Sequence, residues 1–119
     1  MSKSGYFENV YSLSKEERTL CIPNQPQLTI NGFYTDSKRQ KCPILNLVWI
    51  TPKERNDIVI ILEQIELDKD NSIDLRLRYY IIGEKPRMRG KWVFGQFATF
   101  VSPNDFKKLV KLAKKHKMF

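Results

Sequence analysis

Histidine is nearly absent from this chain, cysteine is scarce, and no apolar run approaches the roughly 20 residues that a membrane-crossing helix requires. Each shortage excludes a class of activity. His116, the one histidine, lies near the end of a lysine-rich stretch with no fixed partner in view, which argues against a nucleophile–base pair. Cys21 and Cys42 have neither the CxxC spacing nor the number that a zinc site or a disulfide framework demands, so two free, reduced thiols are expected. Met1 to Tyr6 lacks the apolar core of a signal peptide, and a cytoplasmic protein without membrane attachment is expected. Gly83 and Gly90 bracket no Gly-Lys-Ser/Thr ending, so there is no phosphate-binding Walker loop. Asp68-Lys69-Asp70-Asn71-Ser72 spaces oxygens as a calcium loop begins, but the glycine and the distal glutamate are missing, and a hairpin turn is the expectation. Asp57, Glu63 and Glu66 would suit Mg²⁺ in a nuclease, yet no lysine-bearing motif follows them. The expectation is a non-enzyme with no cofactor and no metal.

What the chain has is cationic charge, unevenly placed. Residues 1–83 hold eleven Lys/Arg and eleven Asp/Glu, whereas residues 84–119 set ten Lys/Arg against Glu84 and Asp105 and so carry the whole net charge of +8. Lys85, Arg87, Arg89 and Lys91 crowd one short stretch that Glu84 alone cannot neutralise. Lys107, Lys108, Lys111, Lys114, Lys115 and Lys117 crowd the last one, and between them runs the aromatic segment Trp92 to Phe100. Cations for phosphates beside flat rings for bases are the components of single-strand nucleic-acid binding. A solvated hairpin tip and a core-forming aromatic strand are the plainer alternatives. At 119 residues and 41% hydrophobic, the chain suffices for one domain with one core.

Three parts are expected: an arm over residues 1–27, a sheet over 28–102 and a C-terminal helix over 103–118. Ser14-Lys15-Glu16-Glu17 fits a capping box, but Pro23 and Pro26 stop any helix soon after it. Gln27–Tyr34, Ile44–Thr51, Ile58–Leu67, the stretch from Ile73 to Ile82, and Trp92–Val101 read as strands. From Ile73 the alternation is clean. Ile73, Leu75, Leu77, Tyr79 and Ile81 share one face, while Asp74, Arg76, Arg78, Tyr80 and Ile82 share the other. The second face either tracks a nucleic-acid backbone or is a solvated face whose arginines pair with Gln64 or Glu66. Gly95 marks a bulge or a close approach. Ser102-Pro103-Asn104-Asp105 states a helix start, with Phe106, Leu109, Val110 and Ala113 as the core stripe.

The order from Asp57 onward is strand, turn, strand, basic loop, strand, then Ser-Pro-x-x-Phe-x-x-Leu opening an amphipathic helix. It resembles the β-sheet-plus-helix units of the positive-cofactor-four coactivators and, in outline, of the Pur-alpha and Whirly families. Lys85, Arg87, Arg89, Gly90, Lys91, Ser102, Pro103, Phe106 and Leu109 bear the likeness, which covers about half the chain. It implies a basic hairpin and curved sheet gripping single-stranded DNA, with the helix completing a dimer core.

The expectation is therefore an α+β protein, a mostly antiparallel sheet of four to five strands packed on a C-terminal helix, that binds single-stranded DNA or RNA, with a homodimer allowed. Arg76, Arg78 and Tyr80 would line the sheet, Lys85, Arg87, Arg89 and Lys91 would clamp phosphates, and Trp92 would stack on a base. Lys107, Lys111 and Lys114 would add diffuse attraction. The alternative is an interaction module that docks an acidic partner through the basic helix and loop.

Overall fold

A computed structural model describes residues 3–53, 55–67, 72–95 and 98–119. The α+β expectation holds, with one strand more than foreseen. β1 (Ser4–Glu8), β4 (Phe33–Thr35), β5 (Lys41–Ile50), β6 (Ile58–Leu67), β7 (Ser72–Ile82) and β8 (Trp92–Phe94) form a six-stranded sheet among the described residues, while β2 (Thr19–Leu20) and β3 (Leu28–Thr29) form a small ribbon. Every strand pair is antiparallel, and the path β1-β5-β6-β7-β8 leaves β4 on the first part of β5 and β1 on the second.

The N-terminal residues are not an arm. β1 is a sheet strand, and Val10, Leu20, Ile22, Leu28 and Ile30 bury themselves against Leu47, Val59, Ile61, Ile65 and Tyr80 on one face of the sheet. The capping box at Ser14 does form, with Ser14 N–H donating to Glu17 and Glu17 N–H donating to Ser14 Oγ, but turns follow it instead of a helix. The expected strand Gln27–Tyr34 is split into β3 and β4, and the expected strand from Trp92 ends at Phe94. The turn foreseen at Asp68–Asn71, like Gln96 and Phe97, lies outside the described residues.

The other face carries α1 (Pro103–Lys115). Its start is as expected: Asp105 N–H donates to Ser102 Oγ at 3.1 Å, with Pro103 in the first turn. Its wheel is turned relative to the expected stripe, so that Leu109, Ala113 and the Asp105 side chain are buried, Leu112 packs on the core, and Phe106 is 43% exposed. The helix ends before residue 118. Met118 N–H reaches back to Ala113 O and Lys117 N–H to Lys114 O, with Lys117 left-handed at φ 57°, which is a Schellman ending that seals Met118 over Ala113. His116 has the partner the sequence hid: its ring stacks on Tyr6 at 3.8 Å between centroids. Burial, and secondarily the Glu8 carboxylate, pushes the Tyr6 phenol above its ordinary pKa. Tyr6 Oη–H, Asn46, Gln64 and the Met118 carbonyl then form one hydrogen-bonded chain across β1, β5, β6 and the C-terminus. No described helix is long and apolar enough to cross a membrane.

Candidate polyanion interface

The register of β6 on β7 decides what the arginines of β7 can do. Glu63 lies opposite Arg76, and Ile61 opposite Arg78. Odd residues of β6 and even residues of β7 therefore share a face, the one covered by residues 10–30. Arg78 and Tyr80 are buried there at 3% and 7% exposure, and Glu63 is fully buried. Arg76 Nε hydrogen-bonds to Glu63 Oε1, and Arg78 Nε lies 2.9 Å from the same oxygen. Arg78 Nη1 donates to Tyr80 Oη at 2.7 Å. Tyr34 stands under the Arg76 guanidinium, while Tyr80 and Phe94 flank that of Arg78 at 5.0 and 5.2 Å. Glu63 Oε2 and Arg78 Nη2 are left without a hydrogen-bond partner among the described residues.

The expected binding row Arg76, Arg78, Tyr80 is thus corrected: Arg78 and Glu63 form a buried ionic cluster, Arg76 joins it from the margin with its side chain 30% exposed, and Tyr80 is buried except where it meets the groove beside β8. The acid of the cluster is Glu63, not Gln64 or Glu66. Glu63 Oε1 is therefore engaged by the arginines, and no group of three metal-ligating side chains occurs among the described residues.

The loop after β7 meets its expectation of exposure. From Glu84 to Lys91 every residue is exposed, so Lys85, Arg87, Arg89 and Lys91 all reach solvent. The loop is nonetheless built: Gly83 N–H donates to Lys91 O, Met88 N–H to Lys85 O, Lys91 N–H to Met88 O, and Gly90 N–H to Gly83 O. Gly83 is needed for this, because a Cβ there would stand 2.5 Å from the Met88 carbonyl oxygen. Four cations on a backbone fixed by hydrogen bonds lose less freedom on binding an anion than four on a mobile tip.

The loop opens onto a groove of about 600 Å³ between β8 and the ribbon strand β3. Lys91, Trp92, Phe94 and Tyr80 line one side, and Gln27, Thr29 and Asn31 the other. Trp92 is half-buried and its indole N–H donates to Pro26 O at 2.7 Å, so this ring ties the cover to the sheet and is not free to swing onto a ligand. Phe94 is the available ring, 42% exposed and set edge-on to Tyr80. Sequence reasoning missed Gln27, Thr29 and Asn31, since nothing local announces that residues 26–31 return to lie beside 90–94. Gly95 makes the close approach foreseen for it, since a Cβ there would overlap the Tyr79 ring.

Lys107, Lys111 and Lys114 are exposed on α1, on the opposite side of the sheet from Tyr80 and its groove. They do not join the loop in one surface. Lys108, Lys111 and Lys115 instead rim a separate groove of about 500 Å³ floored by Ile50, Leu109 and Leu112. The two thiols are free, Cys21 exposed and Cys42 buried. Protein-family models, curated proteins and solved structures give no match to this chain.

Proposed function

We propose that this protein binds single-stranded nucleic acid, DNA in preference to RNA, without catalysis, through the Gly83–Lys91 loop and the groove beside it. One observation carries the reading: four exposed cations stand on a hydrogen-bonded loop with Glu84 as the only acid, directly beside a groove with the half-exposed Phe94 ring. The cations supply the salt-dependent attraction for a sugar-phosphate backbone, and the ring supplies a sequence-tolerant face for a base. The two free thiols suit a cytoplasmic protein.

The test is a titration of labelled single-stranded DNA, duplex DNA and RNA at several salt concentrations. If the four loop cations each neutralise one phosphate, log affinity falls with log salt with a slope of about −3 on a single strand. The double variant Arg87→Ala, Arg89→Ala weakens binding to all three and roughly halves the slope, whereas Phe94→Ala costs about 1 to 3 kcal/mol on single strands and less on duplex. A flat salt response, or parent-like binding by both variants, rejects the reading.

A second reading rests on the other groove. Lysines around an apolar floor between α1 and β1 would accept an acidic amphipathic segment of another protein. It predicts that Lys108→Glu abolishes partner binding while leaving nucleic-acid affinity unchanged.

A further inference from the structure

β7 is unevenly covered. Along one side β6 pairs with it from Ser72 to Ile81, but along the other the described residues pair β8 with Tyr80–Ile82, and Gly95 N–H reaches Tyr79 O. Among the described residues no strand lies beside Ile73–Leu77 on that second side. The hydrogen bonds fix which residues face the gap. Ile82 N–H is directed to Asp57 O on the β6 side, and Tyr79 O accepts from Gly95 N–H on the β8 side. Backbone direction alternates along a strand, so Ile73, Leu75 and Leu77 point their N–H and C=O groups outward like Tyr79. The same three residues carry apolar side chains on the helix-side face, where Ile73 is 53% and Leu75 47% exposed. Edge strands are ordinarily blunted by charged side chains, proline or a bulge; Ile73-Asp74-Leu75-Arg76-Leu77 has no lysine, proline or bulge, and its two charges, Asp74 and Arg76, are of opposite sign.

We propose that this edge pairs with a second copy of the chain, β7 against β7, antiparallel about a two-fold axis at Leu75. The sequence of the edge is complementary to itself in this register and in no adjacent one. With the axis at Leu75, that residue faces the partner's Leu75, Ile73 faces the partner's Leu77, and Asp74 faces the partner's Arg76, whose partly exposed guanidinium keeps Nε on Glu63 and offers its remaining N–H groups, the ion pair occurring twice. An axis at Asp74 would oppose two carboxylates, and one at Arg76 two guanidiniums. The outward-pointing phase of residue 75 also makes the central pair a hydrogen-bonded one, as an axis through that residue requires. A five-residue strand pair is a small interface, so the dimer is concentration-dependent. The inference does not rest on nucleic-acid binding.

Sedimentation equilibrium over a concentration series is the direct measurement, with circular dichroism as the folding control. The parent follows a monomer–dimer equilibrium, and Asp74→Lys, at an exposed position, raises the dissociation constant about tenfold or more because two like-charge pairs replace two ion pairs. Register is read by cross-linking in a Cys21→Ser background. Leu75→Cys places two thiols on residues about 5.5 Å apart and forms an inter-chain disulfide under mild oxidation, while Ile73→Cys, which faces the partner's Leu77, does not. A monomer at every concentration overturns the proposal. So does a dimer indifferent to Asp74→Lys, or equal cross-linking at positions 73 and 75.

Discussion

Arg76 and Arg78 on β7 and Arg87 and Arg89 in the following loop are written alike, as cations on alternate residues, yet Arg78 is buried and Arg76 partly so, while the last two face solvent. The difference lies outside the arginines. Across the ladder from Arg76 stands Glu63, and over both lies the apolar cover of residues 10–30. Arg87 and Arg89 are exposed, and Glu84 is the one acid of their loop. The interior set holds two cations and one anion, and the rings of Tyr34, Tyr80 and Phe94 beside the guanidiniums offset part of the imbalance through their negative faces. An acid at the right register position, more than any property of the basic residues, decides whether such a pair serves the fold or remains for a ligand.

The sharpest way to break this comparison is to neutralise each acid in turn. Glu63→Gln keeps the shape but leaves Arg78 as a buried charge without its counter-ion, and should cost about 3 to 5 kcal/mol in urea unfolding. Glu84→Gln should stay within about 0.5 kcal/mol. Similar losses from both would mean that the interior cluster is not the ionic centre described.

On the helix side no charge is needed, and the expected loss there is nearly as large for a different reason. Leu109 is fully buried between α1 and the sheet, so Leu109→Ala should cost about 2 to 5 kcal/mol by leaving a cavity, while Phe106→Ala, cutting a half-exposed ring, should cost clearly less. A reversed order would restore the stripe read from the sequence wheel.

That wheel shows where legibility ended. β6, β7, the basic loop and the Ser102 cap could be read because each is encoded locally, by alternation, by turn chemistry or by a capping side chain. The partner of the arginines could not. Expecting Gln64 or Glu66 and finding Glu63 is a shift of one residue or of three, and any odd shift moves the side chain to the other face. The cover was hidden for a related reason: Val10, Leu20, Ile22, Leu28 and Ile30 are separated by turns and follow no period, so an arm and a lid look the same in sequence. Alternation reveals that a strand has two faces and is silent about what lies on each. The loop survived because its exposure needed no long-range information, whereas Phe94 emerged as the available ring only once Trp92 was seen bonded to Pro26.

Trp92 therefore marks the seam between covered and open regions, and Trp92→Phe tests it. The ring packing is largely kept, the indole hydrogen bond to Pro26 O is lost, and about 0.5 to 1.5 kcal/mol should go with it. Hydrogen exchange should quicken at residues 26–31 more than in β6. Uniform quickening would show that the cover is not fastened at this point.

A small effect belongs to an ion pair that repeats the chemistry of the interior one at the surface. Arg55 Nε and Nη2 donate to the two oxygens of Asp57 at 3.1 and 3.0 Å, but the side chains are 52% and 39% exposed, so water and salt screen most of the attraction. Asp57→Asn should cost about 0.2 to 1 kcal/mol at neutral pH, far below Glu63→Gln. Its pH dependence has a definite sign. The Arg55 hydrogen bond holds the Asp57 carboxyl below the ordinary aspartate value of about 3.9, against an opposing push from burial. The stabilisation is thus fully present above that unfolded value and disappears as pH falls through the lower folded one. The gap in unfolding free energy between parent and Asp57→Asn should be constant from neutral pH to about pH 5 and then shrink steadily in acid. A gap that held its size down to pH 2, or one as large as that of Glu63→Gln, would erase the distinction between the surface pair and the buried one.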